Sequence, residues 1–252
     1  MRPRLSDILA AKHRELASES GLSKDAFRGP FPALRDFRGA VCRPDRIGII
    51  AEIKRASPSA GVIRGNADPA RIAASYEKAG AAAVSVVTER DFFKGDPETL
   101  SIVRSTVSIP VLRKDFILEE SQIYESRMLG ADAVLLIAGI LSKRRLSQFL
   151  ALCDRLGMAA LTEVHSEADM EKAIQCGAGI VGINNRDLDS FEVSLETTRM
   201  LAPLVPPGCC LVSESGIRTP EDLGFLQPCG IKAALVGTAL MSAEDPGDAA
   251  LG

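Results

Sequence analysis

Four short apolar stretches of this chain, each with the length and composition of a buried β-strand, end in charge: Glu52 with Lys54, Arg113 with Lys114, Glu163, and Glu214. An ionisable group at the end of a buried strand loses its hydration unless that end opens on a solvent-filled cavity. An architecture that gathers separate strand ends at one place meets this condition every time. The pattern therefore constrains topology and chemistry together.

The remaining sequence alternates apolar strand and amphipathic helix. Strands are predicted at Ile47–Lys54, Ala83–Thr88, Val111–Lys114, Ala133–Ile137, Ala159–Val164, Ile180–Asn184, Cys210–Glu214 and Ala233–Val236. Helices fit Pro69–Ala79, Pro97–Ser105, Glu120–Met128, Ser142–Leu156, Glu167–Cys176, Leu195–Leu204 and Pro220–Leu226, several opening with Pro or an acidic residue as a helix N-terminus prefers. A helix over Leu5–Ser20 and a Pro/Gly-rich connector around Gly29–Gly39 precede them.

An internal repeat fixes the count. Ala79-Gly80-Ala81, Leu129-Gly130-Ala131, Cys176-Gly177-Ala178 and Cys229-Gly230-Ile231 each stand just ahead of an even-numbered strand, where glycine ends a helix in the left-handed conformation. The odd-numbered strands are the ones that end in charge. A two-strand period repeated four times predicts an α/β fold, a closed (β/α)8 TIM barrel with an N-terminal helical extension. An open doubly wound sheet is the competitor, but it needs a strand-order reversal that nothing in the chain marks. The 252 residues suit one domain, 1–252, with 1–46 as the extension and 47–252 as the barrel.

In such barrels the active site lies at the C-terminal strand ends, where all of these charges fall. Side chains alternate along a strand, so Glu52 and Lys54 share the inner face and Ile53 faces the helices. A lone Glu–Lys pair reads as an ion pair. Joined by Lys114 and Glu163 at equivalent ends, it reads as proton-transfer machinery, because mutual fields move lysine and carboxylate pKa values toward use. Arg113, of opposite parity to Lys114, is expected to point outward in a structural role.

A phosphate site is the second constellation. Glu214-Ser215-Gly216-Ile217 and Val236-Gly237-Thr238-Ala239 follow strands seven and eight, placing small residues where backbone N–H groups approach an anion. Each turn is common alone; their joint position favours phosphate. Ser57 and Ser59, flanking Pro58 in the loop after the first strand, add hydroxyl donors. Asn184 is read as an inward hydrogen-bonding residue and Arg186 as a bidentate clamp, with Asn185 and Asp187 as turn residues. His165 is read as a loop residue rather than a base. Phe93 and Phe116 either wall an aromatic pocket or simply pack.

Composition removes several function classes. A net charge of −3 argues against a broad nucleic-acid footprint. No apolar stretch is long enough for a bilayer, and the N-terminus lacks the apolar centre of a secretory signal, so a cytoplasmic monomer without membrane partners is expected. The six cysteines form no CxxC pair and read as small packing residues in a reducing compartment. With only His13 and His165 available, no metal site is expected.

Glu52-Ile53-Lys54-Arg55-Ala56-Ser57-Pro58-Ser59, Leu112-Arg113-Lys114-Asp115-Phe116, Leu161-Thr162-Glu163-Val164-His165, Gly182-Ile183-Asn184-Asn185-Arg186-Asp187-Leu188, Ser213-Glu214-Ser215-Gly216-Ile217 and Leu235-Val236-Gly237-Thr238-Ala239-Leu240-Met241 together resemble the indole-3-glycerol-phosphate synthase family. The likeness runs along nearly the whole chain. It implies a (β/α)8 lyase of tryptophan biosynthesis that converts 1-(2-carboxyphenylamino)-1-deoxyribulose 5-phosphate into indole-3-glycerol phosphate, carbon dioxide and water. No metal or organic cofactor is implied; the partner is this small phosphorylated aromatic substrate.

By the same resemblance Lys114 is the general acid for ring closure and Glu163 the partner acid or base in dehydration, with Lys54 and Glu52 sharing proton transfer. Asn184 and Arg186 orient the substrate, Glu214 and Ser215 line the pocket, and Gly216, Gly237 and Thr238 with Ser57 surround the phosphate. Ring closure is an orientation problem that a phosphate anchor and an apolar wall including Leu135 and Leu136 would solve. Two departures from the family are visible. Beyond Met241 the chain is short and acidic where a fuller eighth helix is usual, and Thr238 stands where serine is frequent. Rival readings fit less well. A phosphoribosyl isomerase is expected to pair Cys or Asp with Asp at strands one and five, and a phosphate-ligand sensor has no use for Lys114 beside Glu163.

Overall fold

The computed structural model describes residues 4–18, 31–58, 60–65, 67–187, 190–243 and 246–247. Eight parallel strands close into a barrel: β1 Gly48–Ile53, β2 Ala83–Val87, β3 Val111–Lys114, β4 Ala133–Ile137, β5 Ala159–Val164, β6 Ile180–Asn184, β7 Cys210–Glu214 and β8 Ala233–Val236. Neighbours pair in chain order, and β8 returns to β1 with Gly48 opposite Ala233 and Ala51 opposite Val236. Closure leaves the barrel itself without an edge strand.

The helices are α1 Leu5–Ser18, α2 Phe37–Val41, α3 Pro69–Lys78, α4 Pro97–Thr106, α5 Glu120–Met128, α6 Lys143–Arg155, α7 Glu167–Gln175, α8 Glu196–Leu201, α9 Pro220–Leu226 and α10 Thr238–Ser242. Local chemistry sets their starts: Asp68 and Asp96 cap α3 and α4 ahead of Pro69 and Pro97, Ser142 and Ser166 cap α6 and α7, and Thr219 with Asp222 forms a capping box on α9. The four repeat glycines end their helices with φ between +75° and +88°, as the repeat predicts. The expected helix to Leu204 stops at Leu201 and continues as a 3-10 turn over Ala202–Leu204, because Pro203 cannot donate to the α-ladder. No described helix is long and apolar enough to cross a membrane.

Strand alternation divides the apolar residues between two cores. Ala51, Ile53, Val84, Val86, Val134, Leu136, Val181 and Ile183 pack outward against the helices. Ile50, Leu112, Leu135, Leu161, Val212 and Leu235 fill the barrel itself. The N-terminal extension stops this inner core at both ends. Ile8 of α1 joins it alongside Phe116 and Leu135 near the C-terminal strand ends, and Phe37 and Val41 of α2 join it alongside Cys210 and Ala233 at the strand starts.

Two expectations are corrected here. The segment read as a connector contains α2, started by Asp36, whose carboxylate accepts the Gly39 N–H at 2.8 Å. Its Pro/Gly content hid a single helical turn driven by burial of Phe37 and Val41. The cysteines are not all packing thiols: Cys42, after α2, is disulfide-bonded to Cys210 at the start of β7, with Cα atoms 5.8 Å apart across 168 residues of sequence. Spacing along a chain carries no sign of such a contact. Cys153, Cys176, Cys209 and Cys229 are free thiols. Expectations on residues 19–20, the connector before residue 31, Ser59, and Glu244, Asp245 and the tail from Asp248 lie outside the described residues.

The bridge ties α2 to the base of the barrel, at the end opposite the charged strand ends. Cys42→Ala should therefore lower unfolding free energy by about 2–4 kcal/mol, the usual range for losing a disulfide that closes a long loop. Urea titration with and without reductant checks this. The wild type should match the variant only when reduced.

Candidate active site

The odd strands send their last inward side chains into one cavity. Glu52 and Lys54 come from the end of β1, Lys114 from β3 and Glu163 from β5, and Glu214 ends β7. Lys54 Nζ lies 2.8 Å from Glu52 Oε1. Lys114 Nζ lies 3.1 Å from Glu163 Oε2 and 3.5 Å from Glu214 Oε2, so one ammonium is shared by carboxylates from two further strands. The side chains of Glu163 and Glu214 are 2% and 1% exposed, whereas Lys114 keeps 19%. The cation thus faces the cavity and the acids stand behind it.

The shell around this triad fixes it. Arg113 points outward as expected, donating to Glu125 at 2.6 Å, to Ser126 at 3.2 Å and to Thr88 at 3.1 Å, and pairing with Asp115 at 3.2 Å. Asp115 also accepts from Thr88 at 2.7 Å and pairs with Lys12 of α1 at 3.0 Å. Both chain neighbours of Lys114 are therefore clamped. Asn184 accepts the Arg186 N–H on its Oδ1 at 3.0 Å, which turns its amide group toward Glu163.

The sequence-predicted site residues meet in this cavity. Ser57, Phe93, Phe116, Leu135, Asn184, Arg186, Ser215, Gly216, Gly237 and Thr238 all line it with Glu52, Lys54, Lys114 and Glu163, while Glu214 reaches it through Lys114. The Phe93 and Phe116 ring centres are 6.4 Å apart with planes tilted by 45°, an aromatic pair on one side of the mouth. The Ser57 hydroxyl accepts the Ala60 N–H at 3.1 Å, and the Arg186 guanidinium donates to the Phe191 carbonyl at 3.1 Å.

Three readings change. Leu136 faces the helices and only Leu135 reaches the cavity, as alternation requires. Asn185 is no turn residue: it is buried, donates to Ser213 at 2.9 Å and to the Ser215 carbonyl at 3.0 Å, and accepts from Thr198, so it joins β6, β7 and α8. Asp187 does hold a turn, accepting from Ser190 N–H at 2.7 Å. His165 sits after β5 as read, yet its Nε2 lies 3.3 Å from Glu163 Oε1.

Other contributors gave no sign of themselves in the sequence. Leu5 and Ile8 of α1 form part of the cavity wall. Lys12, 1% exposed, anchors that helix on Asp115 and is steadied within the helix by Glu15 at 2.7 Å. Buried Glu89 accepts the N–H groups of Asp91, Phe92 and Phe93 at 2.8–3.1 Å and so shapes the loop that presents Phe93. A lysine on a charged helix and a glutamate at a loop start look like solvent-facing residues until their distant partners are known.

Comparison with known proteins identifies relatives of the chain as a whole. The family model described as indole-3-glycerol phosphate synthase matches residues 5–250. An indole-3-glycerol phosphate synthase of Carboxydothermus hydrogenoformans is 51% identical over 205 residues, covering 81% of this chain and 78% of that protein. The one of Paracidovorax citrulli is 46% identical, covering 97% of this chain and 96% of its own length. Among solved structures, thiamine phosphate pyrophosphorylase from Pyrococcus furiosus superposes with a TM-score of 0.62 at 16% identity, covering 86% of this chain and 95% of that one. That likeness concerns the barrel fold alone.

The cavity separates proton donors from proton acceptors. Burial opposes the Lys114 charge, but Glu163, Glu214 and Glu52 outweigh it and hold the ammonium above its ordinary range. Burial alone would raise Glu163; Lys114, then His165 and the Asn184 hydrogen bond, hold it below the ordinary value, so it is ionised. For Glu214 burial wins. With Glu163 and Glu52 adding repulsion, it is pushed up to about 8 despite Lys114. A carboxyl raised from 4.5 to about 8 on folding contributes stability that is complete below the lower value and lost as pH climbs to the higher. Glu214→Gln cannot ionise, so its stability relative to wild type should rise between about pH 5 and about pH 8. Urea midpoints of both proteins at the two pH values check this; a gap that stays constant contradicts it.

Proposed function

The chain belongs to the indole-3-glycerol phosphate synthase family, and from that premise we propose how its barrel mouth closes the indole ring of 1-(2-carboxyphenylamino)-1-deoxyribulose 5-phosphate. It is a carboxy-lyase of tryptophan biosynthesis acting on a small phosphorylated substrate. The observation that carries the residue assignment is the Lys114 ammonium, facing the cavity and backed by ionised Glu163 and protonated Glu214. Environments that push neighbouring groups apart in pKa mark out acids and bases.

Orientation comes first. Phe116 follows β3 and Gly216 follows β7, half a turn apart around the barrel and so across the mouth from each other. The arene lies against Phe93, Phe116 and Leu135, and the phosphate is held by Gly216, Gly237, Thr238 and Ser57 with Ser215 beside them. Arg186 and Asn184 fix the middle of the substrate. Stretched between these ends, its carbonyl lies over Lys114 near the ring carbon that must attack it.

That ring carbon bonds to the carbonyl carbon while Lys114 gives its proton to the carbonyl oxygen. The bond to the carboxylate then breaks, its electron pair restores the aromatic ring, and carbon dioxide leaves. In dehydration Glu163 takes a proton from the new five-membered ring. Lys54, steadied by Glu52 at 2.8 Å, gives one to the hydroxyl, which departs as water. Glu163 then releases its proton and Lys54 regains one through solvent, and Lys114 is recharged from solvent, so the cycle consumes one proton net. Glu214, holding its own proton behind Lys114, adds no negative charge to repel an anionic substrate.

Purified protein incubated with this substrate should develop indole fluorescence; absence of product from wild type rejects the reaction. Lys114→Ala should lose roughly 100- to 10,000-fold in kcat, the range for removing a general acid, with little change in KM. Near wild-type turnover would refute the assignment. Thr238→Asp should act in the opposite way, raising KM steeply by repelling the phosphate. Steady-state kinetics with an unchanged KM would move the anchor elsewhere.

A further inference from the structure

Two glycines on the inner wall of the barrel leave spaces that carboxylates fill. Gly182 lies within β6, and a Cβ added there would sit 2.1 Å from Glu214 Oε1 and 3.1 Å from its carboxyl carbon. Gly237 follows β8, and a Cβ there would sit 2.3 Å from Glu52 Oε1 and 3.0 Å from its carboxyl carbon. Contacts under 3.0 Å essentially never occur for real Cβ atoms. The backbone at Gly182 does not require glycine for its conformation, since it is regular strand. A glycine inside a strand weakens it and marks a close approach. Here the approaching groups are acids of the active site.

The register explains how each acid arrives. Asn184 is the lateral partner of Glu214 and Gly182 is that of Val212. The Glu214 side chain therefore leans back by one inward position, over the bare Cα of Gly182, instead of rising into solvent. This keeps its carboxylate 1% exposed and within 3.5 Å of Lys114 Nζ. Ala51 pairs with Val236, so Gly237 stands beside Glu52 on the adjoining strand and leaves room for the carboxylate that holds Lys54.

We infer that Gly182 and Gly237 are positioning residues, their missing side chains forming the seats that hold the Glu214 and Glu52 carboxylates in the catalytic mouth. The functional half of this inference rests on the reaction assigned above. The steric half does not. An alanine at 182 also meets Leu161 Cδ1 at 3.2 Å, a contact relieved by a few tenths of an ångström, so the carboxylate at 2.1 Å is the group that must move.

Gly182 is the position to test, because Gly237 also borders the proposed phosphate site. A crystal structure of Gly182→Ala without substrate should show the Glu214 carboxylate displaced from its place beside Lys114. Its kcat should fall about 100-fold, the loss that a misplacement of about 1 Å produces. Glu214→Asp withdraws the carboxylate by one methylene and makes room for the new methyl group. The double variant Gly182→Ala/Glu214→Asp should then lose less than the product of the two single losses, a coupling expected only of groups in contact.

An undisplaced carboxylate in Gly182→Ala, or multiplicative losses in the double variant, overturns the inference. If Gly182→Ala alone does not fold, the double variant decides: recovery of folded, active protein supports the seat, and failure to recover overturns it. Wild-type turnover is measured separately, so a wrong reaction and a wrong seat give different results.

Discussion

Everything in the mouth follows from the crowding of carboxylates in a poorly hydrated cup. Glu163 and Glu214 share the ammonium of Lys114, while Lys54 is paired with Glu52. Ionising Glu214 would bury a charge beside Glu163 and Glu52 with half a counter-ion to offset it. A proton on Glu214 relieves that cost. The same proton leaves Glu163 ionised and Lys114 charged, so the protonation pattern is a consequence of crowding as much as of residue type.

Barrel closure makes the crowding possible, and the N-terminal extension makes it durable. The inner core would be open at both ends without Ile8 above and Phe37 with Val41 below. Lys12 carries this dependence into the site, since its partner Asp115 also accepts from Thr88 and Arg113 and follows Lys114 in the chain. Buried ion pairs of this kind add little net stability, but removing one member leaves the other charge stranded. Their value here is in direction: they fix where the end of β3 points.

Local periodicity made the barrel legible. All eight strands lie within one residue of their expected bounds, and inward parity correctly assigned Glu52, Lys54, Lys114 and outward Arg113. What stayed hidden depends on contacts between distant parts of the chain. The Cys42–Cys210 bridge, the Lys12–Asp115 pair, the reach of Leu5 and Ile8 into the cavity and the four-way hydrogen bonding of Asn185 leave no mark on hydrophobic pattern or spacing. α2 was missed for a different reason. At five residues, among Pro and Gly, it is too short for periodicity and is helical because burial of its two apolar residues makes it so. Leu136 shows the limit of proximity as a guide, since being next to Leu135 puts it on the opposite face.

The two ends of the extension also impose an order of assembly on a growing polypeptide. The helix carrying Lys12 leaves the ribosome before any strand, yet Asp115, its resting place, is translated far later, and Cys42 must wait for nearly the whole barrel before Cys210 emerges. The segment carrying Cys42 thus reaches its place at the base only after β7 has been made. During synthesis Leu5, Ile8, Phe37 and Val41 remain without the surface they eventually cover, which makes the nascent amino-terminal segment the part of this protein most in need of shielding.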